Sequence, residues 1–256
     1  NEDNVDLNRN FLLPDEAFAG APALYPKIDR WLNPQSPPSR LWPVPATGVV
    51  DLLRFGKQNL FAAIPAGQYD FPRGLFFGGQ APAESTRIVQ RQIARWLGDA
   101  NEIVHLDFHT GLGNWGEHKL LLGCTAKDPI AVSFRERFGA ARVSTLPEEV
   151  SVATEASQQS YVSRGAFGHW CNHHFQDRQY RFATAEFGTY HPFRVLLAMR
   201  AENRAHHWAR DRADCQWAKQ QLAEVFSPAA KDWRERVVRD GVQLVETASQ
   251  RVGKKK

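Results

Sequence analysis

Three short stretches hold the side chains able to do chemistry, and each lies at or beside the end of a segment of distinct character. In "HLDFHTGLG", a period of two places His105, Asp107 and His109 on one face of a strand. A histidine leaving a strand beside a carboxylate suits a zinc ligand with its orienting partner. It suits equally a hydrogen-bonded histidine that closes the strand. In "FATAEFGTYHPF", Glu186 shares its strand face with Thr184 and Gly188 in an otherwise apolar run. A carboxylate so placed is costly unless paired or functional. Burial raises its pKa toward the range useful for general acid–base catalysis; pairing with Arg181 or Arg194 is the alternative. The third stretch, "DLNRNF", sets Asn8, Arg9 and Asn10 between Leu7 and Phe11. An arginine fork beside an asparagine amide suits recognition of a carboxylate, and a surface turn uses the same residue types.

Other motifs carry less. "GLGNWG" matches the glycine spacing of a dinucleotide loop, but "EHKLLLG" follows it and reads as another strand. No long periodic pattern opens the phosphate-binding helix that such a loop requires, which argues against that use. "GHWCNHHF" places His169 and His173 one helical turn apart with Cys171 between them, a metal pattern without the H-E-x-x-H glutamate. His206 and His207 fall in "RAENRAHHWARDR", which reads as a charged, solvated helix face. No G-x-S-x-G elbow is present for serine catalysis.

These residues need a scaffold to bring them together. "STRIVQRQIARWLG" predicts a helix capped by Ser85, with Val89, Ile93, Trp96 and Leu97 inward and Gly98 as terminator. "EIVHLDF", "KLLLG", "RVSTL" and "RFATAEFG" read as strands, and "AVSFRERFG" as a helix between them. Long helical patterns follow over 192–210, 211–226 and 228–252. Strands interleaved with helices predict the α/β class, with the site at the strand ends. Before residue 80 the chain is rich in proline, glycine and aromatics. "YPKIDRWLNPQSPPSRLWPVPA" and "PAGQYDFPRGLFFGGQAP" read as long loops around a short helix near 50–61. Loops of that length usually line a site, and Trp31, Trp42, Phe71 and Phe76 are candidates to wall it.

Composition narrows the partners. The chain of 256 residues is 43% hydrophobic and 23% charged, which excludes a disordered or fibrous class. Its net charge of +4 falls to +1 without Lys254–Lys256, so the body carries no nucleic-acid footprint. No apolar run approaches the ~20 residues that span a bilayer. Cys124, Cys171 and Cys215 form no CxxC pair, which argues against a disulfide framework and fits a reducing, cytoplasmic setting.

In this order the motifs resemble the zinc carboxypeptidase (M14-like) superfamily, which also includes succinylglutamate desuccinylase and aspartoacylase enzymes. The resemblance is closest to its bacterial DUF2817 group. It rests on "NEDNVDLNRNF", "YDFPRGLFFGG", "HLDFHTGLG" and "ATAEFGTY", and covers positions 1 to about 190. It implies a carboxypeptidase-like α/β/α sandwich around a mixed sheet, and a zinc-dependent hydrolase acting on a peptide or N-acyl amino acid. By the same resemblance His109 is the downstream zinc ligand, Glu186 the general base, and Asn8 and Arg9 the holders of the substrate's terminal carboxylate. Asp107 joins them as the partner of His109 on strand-face grounds, with Tyr190 and Tyr161 as further hydrogen-bond donors to substrate. The family's first two zinc ligands form an H-x-x-E motif upstream of its Asn-Arg pair, and its carbonyl-polarising arginine lies upstream too. No histidine here has a glutamate three residues on. The expectation is therefore an incomplete catalytic domain over 1–253 with a basic tail at 254–256. It lacks the family's N-terminal portion, its other zinc ligands lie before residue 1, and it is inactive alone. The alternative is a degenerate, non-catalytic relative that binds a carboxylate without metal.

Overall fold

The structure, a computed structural model, describes residues 1, 3–40, 46–146, 163–209 and 213–250. Its centre is a mixed four-stranded sheet in the order β1-β4-β2-β3, formed by β1 (Glu102–Gly111), β2 (His118–Thr125), β3 (Val143–Leu146) and β4 (Gln179–Gly188). β1 and β4 run parallel in continuous register from Glu102↔Gln179 to Gly111↔Gly188. β2 is antiparallel to β4 and parallel to β3. Phe182, Ala183, Ala185 and Phe187 of β4 are buried, which follows from its inner position, where both of its faces are covered.

Nine helices lie among the described residues: α1 (Tyr25–Leu32), α2 (Ala46–Phe55), α3 (Lys57–Ala63), α4 (Glu84–Leu97), α5 (Pro129–Phe138), α6 (Phe167–His174), α7 (Pro192–Trp208), α8 (Ala213–Phe226) and α9 (Lys231–Ser249). One sheet face buries Leu120, Leu122, Ala183, Ala185 and Phe187 against Phe134 and Phe138 of α5 and Leu244 of α9. The other buries Ile103, Tyr180 and Phe182 against Ile93 of α4, Trp170 of α6 and Phe11. Helices on both faces of a mixed sheet bear out the α/β class that the strand–helix alternation predicts, in the sandwich arrangement that the resemblance implies.

Local expectations need three corrections. The segment from Tyr25 is not an extended loop: Tyr25, Ile28, Trp31 and Leu32 are the buried face of α1. Pro26 masks that pattern, yet proline is tolerated in a first turn, where its missing N–H has no intrahelical partner anyway. Helix α4 starts one residue before Ser85, with Ala83 as its uncapped N-cap, and Trp96 is 62% exposed rather than inward. The charged pattern of α7 is not wholly solvated: Arg200, Asn203 and Arg204 are buried. Arg200 Nε donates to the Trp31 carbonyl (2.7 Å) and Arg204 Nε to that of Ser36 (3.0 Å), so these charges tie the end of α1 and the loop after it to α7.

The N-terminal segment is anchored through Asn10, which is fully buried. Its Nδ2 donates to the carbonyls of Gly78 (2.7 Å) and Ala81 (3.0 Å). Its Oδ1 accepts from the Ala83 N–H (2.8 Å) and the Thr86 hydroxyl (2.6 Å). One side chain thus binds residues 8–11 to the loop before α4 and to α4 itself. Asn10→Ala leaves these buried groups without partners, and is expected to lower the unfolding free energy by about 3 kcal/mol. Urea denaturation measures this, and a loss below about 1 kcal/mol contradicts the anchoring role.

Candidate functional site

The β1–β4 register sets His109 directly beside Glu186, at the carboxyl ends of two parallel strands. Asp107 lies on the same face, and its Oδ2 accepts a hydrogen bond from His109 Nε2 at 2.9 Å. Nε2 therefore carries a proton, and Nδ1 has no protein partner among the described residues. That hydrogen bond raises the His109 pKa above its ordinary 6.5; burial opposes the rise, and the charges of Asp107 and Glu186 add to it. Glu186 is 9% exposed. Burial raises its pKa, while the Leu112 N–H (2.8 Å to Oε1) and His109 work the other way. Gly111 makes the Leu112 contact available: its φ of +145° turns the chain where β1 ends, and a Cβ there would stand 3.0 Å from the Phe226 ring. Neither arginine considered for Glu186 reaches it. Arg181 pairs with Glu102, and Arg194 lies over the Tyr190 ring.

Arg9 is also 9% exposed, on a short 3-10 turn over Leu7–Arg9. Its Nε and Nη2 both donate to the Pro65 carbonyl (2.9 and 2.7 Å), and Nη1 donates to the carbonyl of Asn8 (2.7 Å). The guanidinium sits over the Phe76 ring at 5.6 Å. Gly67, at φ +92°, lets the backbone lie against the arginine stem, since a Cβ there would be 2.7 Å from Arg9 Cδ. Among the described residues no carboxylate forms an ion pair with Arg9, so a mostly desolvated cation is held by carbonyl dipoles and the Phe76 ring face. The rest of its fork stays available to a ligand. Asn8 Oδ1 accepts the Phe167 N–H (2.9 Å) at the start of α6, which leaves the Asn8 amide N–H groups without a protein partner among the described residues.

Asn8, Arg9, His109 and Glu186 line one cavity of about 480 Å³. Three stretches far apart in sequence therefore meet, and Asp107 joins them through His109. Tyr190 does not: its hydroxyl donates to Glu224, and it is absent from the cavity lining. Tyr161 and Trp42 lie outside the described residues. His105 shares the strand face but is engaged elsewhere, with Nδ1 2.6 Å from the Tyr180 hydroxyl, and burial lowers its pKa. Of the aromatic residues expected to wall a site, Phe76 does so, whereas Trp31 and Phe71 belong to the core around α1. His169 and Asn172 of α6 also line the cavity. Sequence reasoning passed over Asn172, Pro65 and Leu112; the last two act through backbone groups, which no side-chain pattern announces.

A catalytic zinc needs about three protein ligands and a water. Among the described residues no group of three His, Cys, Asp or Glu side chains is placed to hold a metal, the His169–Cys171–His173 cluster included. His109 offers one nitrogen. The described residues by themselves do not fit the metal that the resemblance implies. Nor, among them, is any helix long and apolar enough to cross a membrane.

A family model described as a protein of unknown function (DUF2817) matches residues 1–240. No curated protein and no solved structure matches the chain.

Because the folded pKa of Glu186 is raised, the folded state binds its proton more tightly than the unfolded chain does. That contribution to stability is complete below the ordinary value of 4.5 and is lost as pH rises through the folded pKa. Glu186→Gln is therefore expected to melt above the wild type at pH 7, with the difference closing as pH falls toward 4.5. Thermal melts across that range check the sign; a mutant less stable at pH 7 contradicts it.

Proposed function

The chain belongs to the DUF2817 family, and within it we propose a zinc-dependent hydrolase that cleaves an amide bond next to a terminal carboxylate, of metallocarboxypeptidase or N-acyl amino acid deacylase type. The observation that carries this reading is the shared cavity, which holds an arginine without a counter-ion among the described residues together with a buried glutamate of raised pKa. Arg9 and the Asn8 amide receive the carboxylate through charge-assisted hydrogen bonds. Fixing that end places the next amide bond near Glu186. The Leu112 N–H holds Glu186 Oε1, so Oε2 is the oxygen free to take a proton from water and return it to the leaving amine.

His109 would hold the metal through Nδ1, with Asp107 fixing the tautomer and ring orientation from the other nitrogen. When bound, zinc supplies a Lewis acid at the scissile carbonyl. The ligand count requires its other ligands to come from outside the described residues, and we place them upstream of residue 1. One observation favours a second reading, a carboxylate-binding relative without catalysis: His109 has no fellow ligands among the described residues.

Amide hydrolysis separates the two. N-acyl amino acids and short peptides are offered, with zinc supplied, to a polypeptide extended to include an upstream H-x-x-E. Glu186→Gln is expected to lower kcat by about 10²–10⁴-fold with KM little changed. Undiminished activity removes Glu186 from the role, and carboxylate binding without turnover supports the second reading. Calorimetry on the 256-residue chain is expected to show no tight one-to-one zinc site. A tight site means that the ligands are misassigned, with His169, Cys171 and His173 the first to substitute.

A further inference from the structure

The cavity between the carboxylate clamp and Glu186 has a wall of one chemical character. Ile64 immediately precedes Pro65, whose carbonyl holds Arg9. Phe76 lies under the guanidinium, and Leu196 and Met199 of α7 belong to the same apolar cluster as Ile64 and Phe76. Met199 continues the surface through Val195 to Phe226, whose ring abuts Gly111 beside Glu186. All six of these side chains line the cavity. Phe76 is held there at φ +56°, a left-handed conformation that is strained for an aromatic residue. Strain of that kind persists where the surrounding structure enforces it, and such sites are often functional.

The charged or titratable groups on the lining are Asp6, Arg9, His109, His169 and Glu186. Asp6 Oδ1 accepts the Asn8 N–H (2.9 Å), and His169 is on α6, which lines the cavity through Gly168, His169 and Asn172 but supplies none of the six apolar side chains. Among the described residues, no cation stands on this apolar wall to meet an acidic side chain, and no carboxylate to meet a basic one. Resting on the carboxylate reading of Arg9, we propose that the residue carrying the terminal carboxylate is neutral and apolar, of the leucine, methionine or phenylalanine class. Its carboxylate meets Arg9 and Asn8, and its side chain lies on the surface from Ile64 to Phe226. The leaving group is then an apolar amino acid rather than glutamate, aspartate, lysine or arginine.

Calorimetric titration of the 256-residue chain tests this without any need for turnover. The probes are N-acetyl-L-leucine, N-acetylglycine, N-acetyl-L-glutamate, N-acetyl-L-lysine and the neutral N-acetyl-L-leucinamide. The leucine acid is expected to bind on the order of tenfold more tightly than the glycine acid, as burial of an apolar side chain predicts. It should also bind more tightly than the glutamate and lysine acids. Met199→Lys, checked for folding by circular dichroism, is expected to shrink or reverse the preference for leucine over glutamate. Equal or tighter binding of the glutamate or lysine acid overturns the apolar assignment while leaving the carboxylate clamp standing. Leucinamide binding as tightly as the leucine acid, or no binding by any acid, removes the clamp itself and the inference with it.

Discussion

The parallel, in-register pairing of β1 with β4 is the constraint on which the arrangement depends. It sets His109 beside Glu186 and gives Asp107 the same face, and a slip of β1 by one residue would send His109 and Asp107 to the side of the sheet opposite Glu186. The pairing is enforced from both sides. Apolar residues of alternating parity, Phe182 on one face and Ala183, Ala185 and Phe187 on the other, are buried against different helices. The raised pKa values of His109 and Glu186 are thus products of sheet geometry: the shared face gives His109 its hydrogen bond to Asp107, and the depth of the strand ends desolvates the Glu186 carboxylate.

A second structural decision is the burial of Arg9. Desolvating a guanidinium that has no carboxylate partner among the described residues is unfavourable, and the fold compensates with the carbonyls of Pro65 and Asn8 and the face of Phe76. Backbone carbonyls orient the fork without neutralising it. A lysine would offer a point charge with no planar fork to lay along the Pro65 carbonyl, so the geometry asks for arginine in particular.

Much of this was readable from residue types and spacing. Period-two alternation located β1 and β4, and the same alternation put Asp107 with His109. The conspicuous polar residues Asn8, Arg9, His109 and Glu186 do share one cavity. What stayed hidden has physical causes. The partners of Arg9 and Glu186 are the Pro65 carbonyl and the Leu112 N–H, main-chain groups present at nearly every position. The buried face of α1 was obscured by a proline that a first turn accepts. Arg200 and Arg204 looked solvated because charge suggests water, yet carbonyls at the end of α1 and in the loop after it satisfy them in the interior. Tyr190 resembled a substrate contact by its position after β4, but Glu224 engages its hydroxyl.

The contacts that build the carboxylate clamp have a temporal consequence. Arg9 reaches 56 residues along the chain to Pro65, and Asn10 reaches 68 to Gly78. Asn8 spans 159 residues to Phe167. Loops of such length must close before these bonds return any free energy, so such contacts tend to form late in folding. α4, by contrast, is built from local contacts and can form early. The pocket beside Arg9 is then among the last parts of the chain to exist, and a molecule that recognises it recognises a chain that has finished folding.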